Sequence, residues 1–163
     1  MKENLLEKKT VNNVLNFLQN FDPNFSLISL DTTARTAKDA ANSLNVEVGA
    51  IVKSLIFKPS NKNLYYLSLV SGDKFVSLNK LSLYLNDEII KASANEVKNH
   101  SGYSIGGVPP VAHINPPTQV LIDINLKRFN KIYAAAGHPF VVFGITFEQI
   151  FHITNGKVIN FVE

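Results

Sequence analysis

The stretch IVKSLIFKPSNKNLYYLSLV, residues 51–70, contains two apolar runs separated by the turn-rich segment PSNKN. Short runs of β-branched and aromatic residues on either side of Pro, Ser and Asn are typical of two strands joined as a hairpin. We therefore predict strands over residues 50–58 and 64–70. This hairpin is the starting point for the rest of the fold.

Lys53 is the unusual residue of the first predicted strand. Because side chains alternate along a strand, Lys53 shares one face with Leu55 and Phe57, while Ser54 lies on the other face. An unpaired charge in a buried strand costs several kcal/mol. Two interpretations stay open. Either the lysine extends its four-carbon stem to water at a sheet edge, or its ammonium faces a cavity that takes an anionic or carbonyl-bearing ligand.

Helix and strand patterns are mixed along the remainder of the chain. Apolar spacing predicts a first helix around residues 11–18, and a polar cap followed three residues later by Asp, Glu or Gln predicts helix starts at Thr36, Ser93 and Thr146. Further strands are predicted over residues 119–123, 131–136 and 140–145. Without a strict βαβ order, this mixture predicts an α+β fold, a single domain with a mixed, barrel-like sheet flanked by short helices.

The composition is that of a compact globular protein. The chain has 163 residues, of which 45% are hydrophobic and 18% charged, which favours one domain with a sizeable core. There is no cysteine. This excludes disulfides, thiolate zinc sites and thiol nucleophiles, and it suits a reducing compartment.

Charge and hydropathy indicate where the protein acts. The N-terminal sequence MKENLLEKKTVNN carries charges throughout, and no window approaches the ~18 uninterrupted apolar residues of a membrane span. We therefore expect a cytoplasmic protein without a membrane partner. The net charge of +3, from 16 Lys and Arg against 13 Asp and Glu, permits a polyanionic partner without requiring one.

The loop GYSIGGVPP, residues 102–110, carries two adjacent glycines followed by two prolines. Gly106 and Gly107 allow backbone conformations closed to other residues and let a ligand approach the main chain, while Pro109 stiffens the segment that follows. Such a loop can offer N–H donors to an oxyanion or a phosphate oxygen. It is neither GxGxxG nor a Walker loop, and a purely structural turn is the competing interpretation.

The segment YAAAGHPF, residues 133–140, places three alanines ahead of a Gly-His-Pro turn. Small side chains on a strand leave room for a packed helix or for a bound substrate. His138 is then either structural or part of a site. The other histidines, His100, His113 and His152, show no metal-ligand spacing, so we predict no metal site.

Four segments, VKSL, GYSIGGVPP, VLID and AAGHP, together resemble the YbaK-like family of aminoacyl-tRNA editing domains in their order and separations. That family includes free-standing bacterial deacylases and the insertion domain of prolyl-tRNA synthetases. The resemblance runs from about residue 33 to the C-terminus. It implies a YbaK-like fold for a single domain over residues 1–163, with residues 1–32 as an N-terminal helix and loop ahead of the motifs.

The resemblance also implies a function, hydrolysis in trans of the ester that joins a wrong amino acid to the 3′-terminal adenosine of a tRNA. The usual carrier is tRNA for proline, prolyl-tRNA synthetase is a second partner, and no cofactor is implied. Lys53 would meet the terminal phosphate or ribose, and His138 would border the amino-acid pocket. The main chain of Gly106, Gly107 and Val108 would donate to the ester carbonyl. The residues implied to bind substrate beside these are Ser54, Val108, Pro109, Ala135 and Gly137.

Three departures from the family bear on the amino acid removed. Ala135 and Val142 stand where the cysteine-specific branch typically carries polar and acidic residues. Phe140 follows the Gly-His-Pro turn, where the alanine-editing branch often has a polar residue. Ala112 replaces the last glycine of the family sequence GVPPVGH. The amino acid is therefore open, and a small one such as alanine or serine is the first expectation.

Two functions of other classes remain as alternatives. One is a non-catalytic module that binds aminoacyl-tRNA or a synthetase through the same cleft. The other is an enzyme that uses Lys53 as a Schiff-base nucleophile on a small carbonyl compound, which requires a lowered lysine pKa. A turnover assay distinguishes the first from an editing enzyme, and borohydride trapping distinguishes the second.

Overall fold

A computed structural model describes residues 4–163, so the first three residues of the predicted domain lie outside the described part. The described helices are α1 (Lys9–Phe21), α2 (Ala37–Leu44), α3 (Leu78–Leu85), α4 (Ala94–Ser101) and α5 (Phe147–Thr154). The described strands are β1 (Ile28–Ser29), β2 (Val52–Pro59), β3 (Tyr66–Ser71), β4 (Ile89–Lys91), β5 (Gln119–Asp123), β6 (Ile132–His138), β7 (Val141–Ile145) and β8 (Lys157–Ile159). None of these helices has the length and apolar character needed to cross a bilayer.

The predicted helix starts are confirmed. The hydroxyls of Thr36, Ser93 and Thr146 each accept a hydrogen bond from the main-chain N–H three residues further on, at 3.1 to 3.2 Å. The side chain at that third position accepts in return from the N–H of the cap residue. Helices α2 and α4 end at Asn45 and Gly102, which adopt left-handed conformations that Asn and Gly tolerate well.

The predicted hairpin is also confirmed, and it forms the centre of a five-stranded sheet. Strands β2 and β3 pair antiparallel, and the sheet order is β4-β2-β3-β5-β8. Strands β1, β7 and β6 form a separate three-stranded sheet. The mixed α+β architecture is therefore as predicted, while the strands of the described chain form two sheets and no closed barrel. An isolated bridge between Ile51 and Tyr133 joins the sheets.

The two faces of β2 pack in different parts of the core. Val52 and Ile56 belong to the main hydrophobic cluster, which lies against α1 and β6. Phe57 and Leu55 pack on the opposite face in a second cluster with Leu81 of α3. The alternation read from the sequence therefore holds along this strand.

One edge of β2 is only partly paired. Strand β4 pairs with β2 at residues 57–59, and Ile51 bridges to Tyr133, so between these points this edge has no strand partner in the described chain. The carbonyl of Ile56 accepts from the N–H of Ala92 at 3.1 Å on the same edge. Because main-chain polar groups alternate between the two edges of a strand, those of Ser54 point into the same gap.

Ala112 adopts a strained conformation that glycine would relieve. Its φ is +64°, whereas the other non-glycine residues with positive φ are all asparagines. Left-handed backbone costs an alanine about 1 to 2 kcal/mol, and the greater freedom of glycine in the unfolded chain offsets part of the gain. We expect Ala112→Gly to raise the free energy of unfolding by about 0.5 to 1 kcal/mol in urea titrations.

The control for this prediction is Ala94→Gly in the first turn of α4. Helical backbone disfavours glycine relative to alanine, so this variant should lose about 0.5 to 1 kcal/mol. The strain assigned to Ala112 would be wrong if Ala112→Gly proved less stable than the parent.

Candidate functional site

A cavity of about 250 Å³ opens at the unpaired edge of β2. Its walls come from β2, β6, β7, the end of β4, the first turn of α2 and the glycine loop at residues 105–108. Five residues expected from the sequence to act in a site line it, namely Lys53, Ser54, Gly106, Val108 and Ala135. The fold therefore brings together parts of three segments that lie far apart in the chain.

The walls of this cavity combine apolar surface with positive charge. Its apolar lining comes mainly from Leu30, Ala34, Ala37, Ala40, Ile51, Val52, Ile56, Ala92, Val97, Ile105 and Val142. The cations among the lining residues are Arg35, Lys53 and Lys91, and none of the lining residues is an Asp, Glu or His. An excess of cations around a mainly apolar space favours a ligand with an anionic part and an apolar part.

The ammonium of Lys53 contacts two residues outside the cavity lining. It donates to the main-chain carbonyl of Lys74 and lies 4.8 Å from the ring centroid of Phe75, whose side chain is 71% exposed. Burial lowers the pKa of Lys53, and the carboxylates of Asp73 and Asp123 oppose this shift. Neither Lys74 nor Phe75 lines the cavity.

This arrangement answers the question raised by a lysine in an apolar strand. A carbonyl acceptor and an exposed aromatic ring accommodate the ammonium of Lys53, so an anion is not needed to hold it. These contacts fit the first interpretation, a side chain that extends toward the surface. The second, an ammonium that faces the cavity, stays a prediction, because Lys53 lines the cavity while its ammonium contacts residues outside the lining.

Ser54 presents polar groups at the unpaired strand edge. Its Oγ is buried and has no hydrogen-bond partner in the described structure. A buried hydroxyl without a partner costs about 1 to 3 kcal/mol, and such groups are often found where a ligand or water completes the bonding.

The structure changes the role expected of Gly107. Its N–H donates to the carbonyl of Ser104 at 3.0 Å, and its carbonyl accepts from the N–H of Gly137 at 3.0 Å. A Cβ at this position would lie 2.9 Å from the Cα of His138. The expectation that Gly107 offers a free donor is therefore wrong here, because its N–H is already used and it needs to be glycine to pack on β6.

Two other donors of the loop remain available. No described atom accepts a hydrogen bond from the main-chain N–H of Gly106 or of Val108, and both residues line the cavity. Gly106 is exposed and has a φ of +89°, which requires glycine or strain in any other residue. The loop thus keeps main-chain donors on either side of Gly107.

Pro109, Gly137 and His138 lie outside the lining of the cavity. Gly137 has a φ of +92°, and a Cβ there would lie 2.6 Å from the carbonyl oxygen of Thr10 in α1. The Nδ1 of His138 accepts from the N–H of Phe140 at 3.1 Å. Gly137 allows the close approach of α1 and His138 accepts a hydrogen bond within the turn, and their contact with substrate stays a prediction.

His113 holds the end of the glycine loop in place and does not itself line the cavity. Its Nε2 lies 2.6 Å from the carbonyl oxygen of Pro109, and its Nδ1 lies 2.8 Å from the hydroxyl of Tyr65. Burial lowers the pKa of His113. No motif in the sequence links His113 to Pro109, apart from their proximity in the chain.

Arg35 and Lys91 are the lining cations that sequence reasoning missed. Arg35 directly precedes the N-cap residue of α2, and Lys91 is the last residue of β4. In its local sequence each of them is indistinguishable from an ordinary solvent-exposed cation. Only the tertiary arrangement of α2 and β4 around β2 brings them to one cavity.

Comparison with known families accounts for this combination of fold and cavity. Residues 31–152 match the aminoacyl-tRNA editing domain. The chain belongs to the aminoacyl-tRNA editing domain family. The match includes every lining residue of the cavity except Leu30.

Individual relatives agree with this assignment. A solved structure of a candidate trans-editing enzyme for prolyl tRNA synthetase superposes with a TM-score of 0.89 at 32% identity, covering 96% of this chain and 98% of that one. An uncharacterized protein of Bacillus subtilis, YwhH, is 28% identical over 78% of this chain and 80% of its own length. The proline–tRNA ligase of Thermosipho africanus is 32% identical over 74% of this chain. That match spans only 19% of the ligase.

Proposed function

We propose that the protein is a cytoplasmic, trans-acting aminoacyl-tRNA deacylase that hydrolyses the ester of a mischarged tRNA. The carrier is tRNA for proline, and the amino acid removed is small and non-cognate. The observation that carries this proposal is the cavity itself. It has a mainly apolar wall and three cationic lining residues, and it is also lined by Gly106 and Val108, whose main-chain N–H groups have no described acceptor. An aminoacyl ester at the end of a nucleic acid presents the matching anionic, apolar and carbonyl groups.

The reaction requires stabilisation of one developing negative charge. A water oxygen attacks the ester carbon, the carbonyl oxygen becomes an oxyanion, and the bond to the ribose oxygen then breaks. The ribose oxygen takes a proton, which leaves a free amino acid and an uncharged tRNA. Main-chain donors at Gly106 and Val108 would bind the oxyanion, and loss of one such donor typically costs about 2.7 to 4 kcal/mol of barrier.

Positioning supplies the rest of the catalysis in this proposal. The cavity lining contains no carboxylate and no imidazole to act as a general base. The attacking water is therefore held in line by the walls of the cavity. Orientation alone can contribute about 7 to 11 kcal/mol to such a step.

The size of the amino acid follows from the walls around Ala135. Ala135 of β6 and Val142 of β7 line the cavity, as does Ser54, whose hydroxyl is buried. A volume of about 250 Å³ has to hold the acyl group and part of the terminal ribose. This supports a small side chain such as that of alanine or serine.

Carrier and partner are proposed from the relatives. The solved relative is described as acting for prolyl tRNA synthetase, and the matched ligase segments belong to enzymes that charge tRNA with proline. We propose that the chain acts on the product of such a synthetase and can associate with it.

The proposed function is tested by incubating the protein with tRNAs charged with a panel of amino acids and measuring release from each. We expect release of a small non-cognate amino acid from tRNA for proline. If no tRNA is deacylated yet charged tRNA still binds, the non-catalytic binding module replaces the enzyme. If nothing binds, both proposals fail.

A further inference from the structure

Two lining cations are not used by the proposed chemistry. Arg35 and Lys91 are both exposed and line the cavity, Arg35 from the loop directly before α2 and Lys91 from the end of β4. Together with Lys53 they are the cationic residues of the lining, and they come from three separate parts of the chain. Exposed cations that line one cavity can attract the same anionic ligand.

Neither side chain forms an ion pair with a described carboxylate. Asp39 of α2 accepts from the main-chain N–H groups of Arg35 and Thr36 at 3.2 Å, so its carboxylate caps the helix. Glu96 of α4 pairs with Lys58 at 2.5 Å. The acidic residues of the neighbouring elements are thus engaged elsewhere, and the guanidinium of Arg35 and the ammonium of Lys91 are left for a ligand.

We propose that Arg35 and Lys91 bind phosphodiester groups of the single-stranded acceptor end of the tRNA, an inference that rests on the proposed function. The cavity takes the ester and the terminal ribose, so the phosphates that precede them lie at its mouth, where these exposed cations stand. A guanidinium binds a phosphate with two parallel hydrogen bonds, and an ammonium binds it as a point charge. These two phosphate contacts would determine how far the 3′ end of the tRNA enters the cavity.

The test uses a labelled, uncharged, single-stranded RNA that ends in CCA, with binding followed by fluorescence anisotropy between about 50 and 200 mM salt. The double variant Arg35→Gln/Lys91→Gln should lose at least about tenfold in affinity at the lowest salt. The slope of log affinity against log salt should fall in magnitude by about 1.4, which corresponds to two lost phosphate contacts on a single strand.

Two controls separate a local contact from general charge. Lys131→Gln/Lys157→Gln makes the same change in net charge at exposed positions outside the cavity, and it should bind within about twofold of the parent. Arg35→Lys/Lys91→Arg keeps both charges and should keep the parent salt slope. Thermal unfolding of each variant verifies that the fold is retained.

Three outcomes would overturn the inference. The first is an unchanged salt slope in the Gln double variant, and the second is an equal loss of RNA affinity in the Lys131/Lys157 control. The third is displacement of the labelled RNA by AMP as readily as by unlabelled RNA, which would mean that the cations bind a mononucleotide instead. Because this RNA carries no amino acid, the result does not depend on hydrolysis. A protein that deacylates nothing could still show this binding, so the two proposals fail independently.

Discussion

Replacement of Lys53 by Met should reduce kcat/KM for deacylation by at least about 100-fold, a loss of about 2.7 kcal/mol in transition-state stabilisation. Lys53 is the cation that lies in the strand lining the cavity, and its ammonium is held by a single carbonyl and an aromatic ring. An anionic group of the substrate can compete with this carbonyl and this ring for the ammonium. Methionine keeps most of the stem but removes the charge, so single-turnover release of a labelled amino acid isolates the electrostatic contribution.

The fold should survive this change. Burial lowers the pKa of Lys53, so the surroundings already disfavour its charged form, and the thermal unfolding midpoint should shift by only a few degrees. Lys157→Met, on the exposed edge strand β8, is the matched control and should be fully active. Turnover by Lys53→Met within about threefold of the parent would remove this lysine from the mechanism.

Replacement of Gly107 by Val should lower both stability and activity. Its Cβ would meet the backbone of His138 at 2.9 to 3.1 Å, and the hydrogen bond from Gly137 to the Gly107 carbonyl would be stretched. Overpacking of this kind costs about 1 to 3 kcal/mol of unfolding free energy. The loop would shift, and with it the N–H groups of Gly106 and Val108, so kcat should fall by about 100-fold.

Ser104→Val introduces the same side chain at an exposed position of the same loop. We expect it to retain nearly parental stability and kcat, measured by urea unfolding and by single-turnover deacylation. A fully active, fully stable Gly107→Val protein would contradict the packing of this loop on β6.

Local patterns were sufficient to predict most secondary structure. The capping pairs that begin at Thr36, Ser93 and Thr146 involve residues three apart, so the sequence alone contains both partners. The hairpin of β2 and β3 is likewise local. The short strands β1, β4 and β8 were not predicted, because pairing with strands elsewhere in the chain defines them.

The candidate site was predicted only in part, for a related reason. Lys53, Gly106 and Ala135 stand in recognisable segments, and the fold does bring them to one cavity. The direction of the Lys53 side chain depends on Lys74 and Phe75, which carry no motif. The sequence predicts the main-chain N–H of Gly107 as a donor to the substrate, but a glycine pair is explained equally well by ligand approach and by close packing. The sequence does not distinguish these two explanations.

The positions of Gly137 and His138 show the same ambiguity. A Gly-His-Pro turn beside small strand residues suggests a pocket, yet the glycine is required by the carbonyl of Thr10 in α1. That contact joins residues more than a hundred positions apart, so no spacing rule could have predicted it. Arg35 and Lys91 were missed because isolated cations are common on surfaces.

The central claim is that this cavity hydrolyses the ester of a mischarged tRNA. The most direct test is the single-turnover rate at which the protein releases labelled alanine, serine and proline from tRNA for proline, compared with the rate in buffer alone. We predict that alanine or serine is released at least about tenfold faster than in buffer, while proline remains attached. Equal rates with and without the protein for all three amino acids would contradict the account.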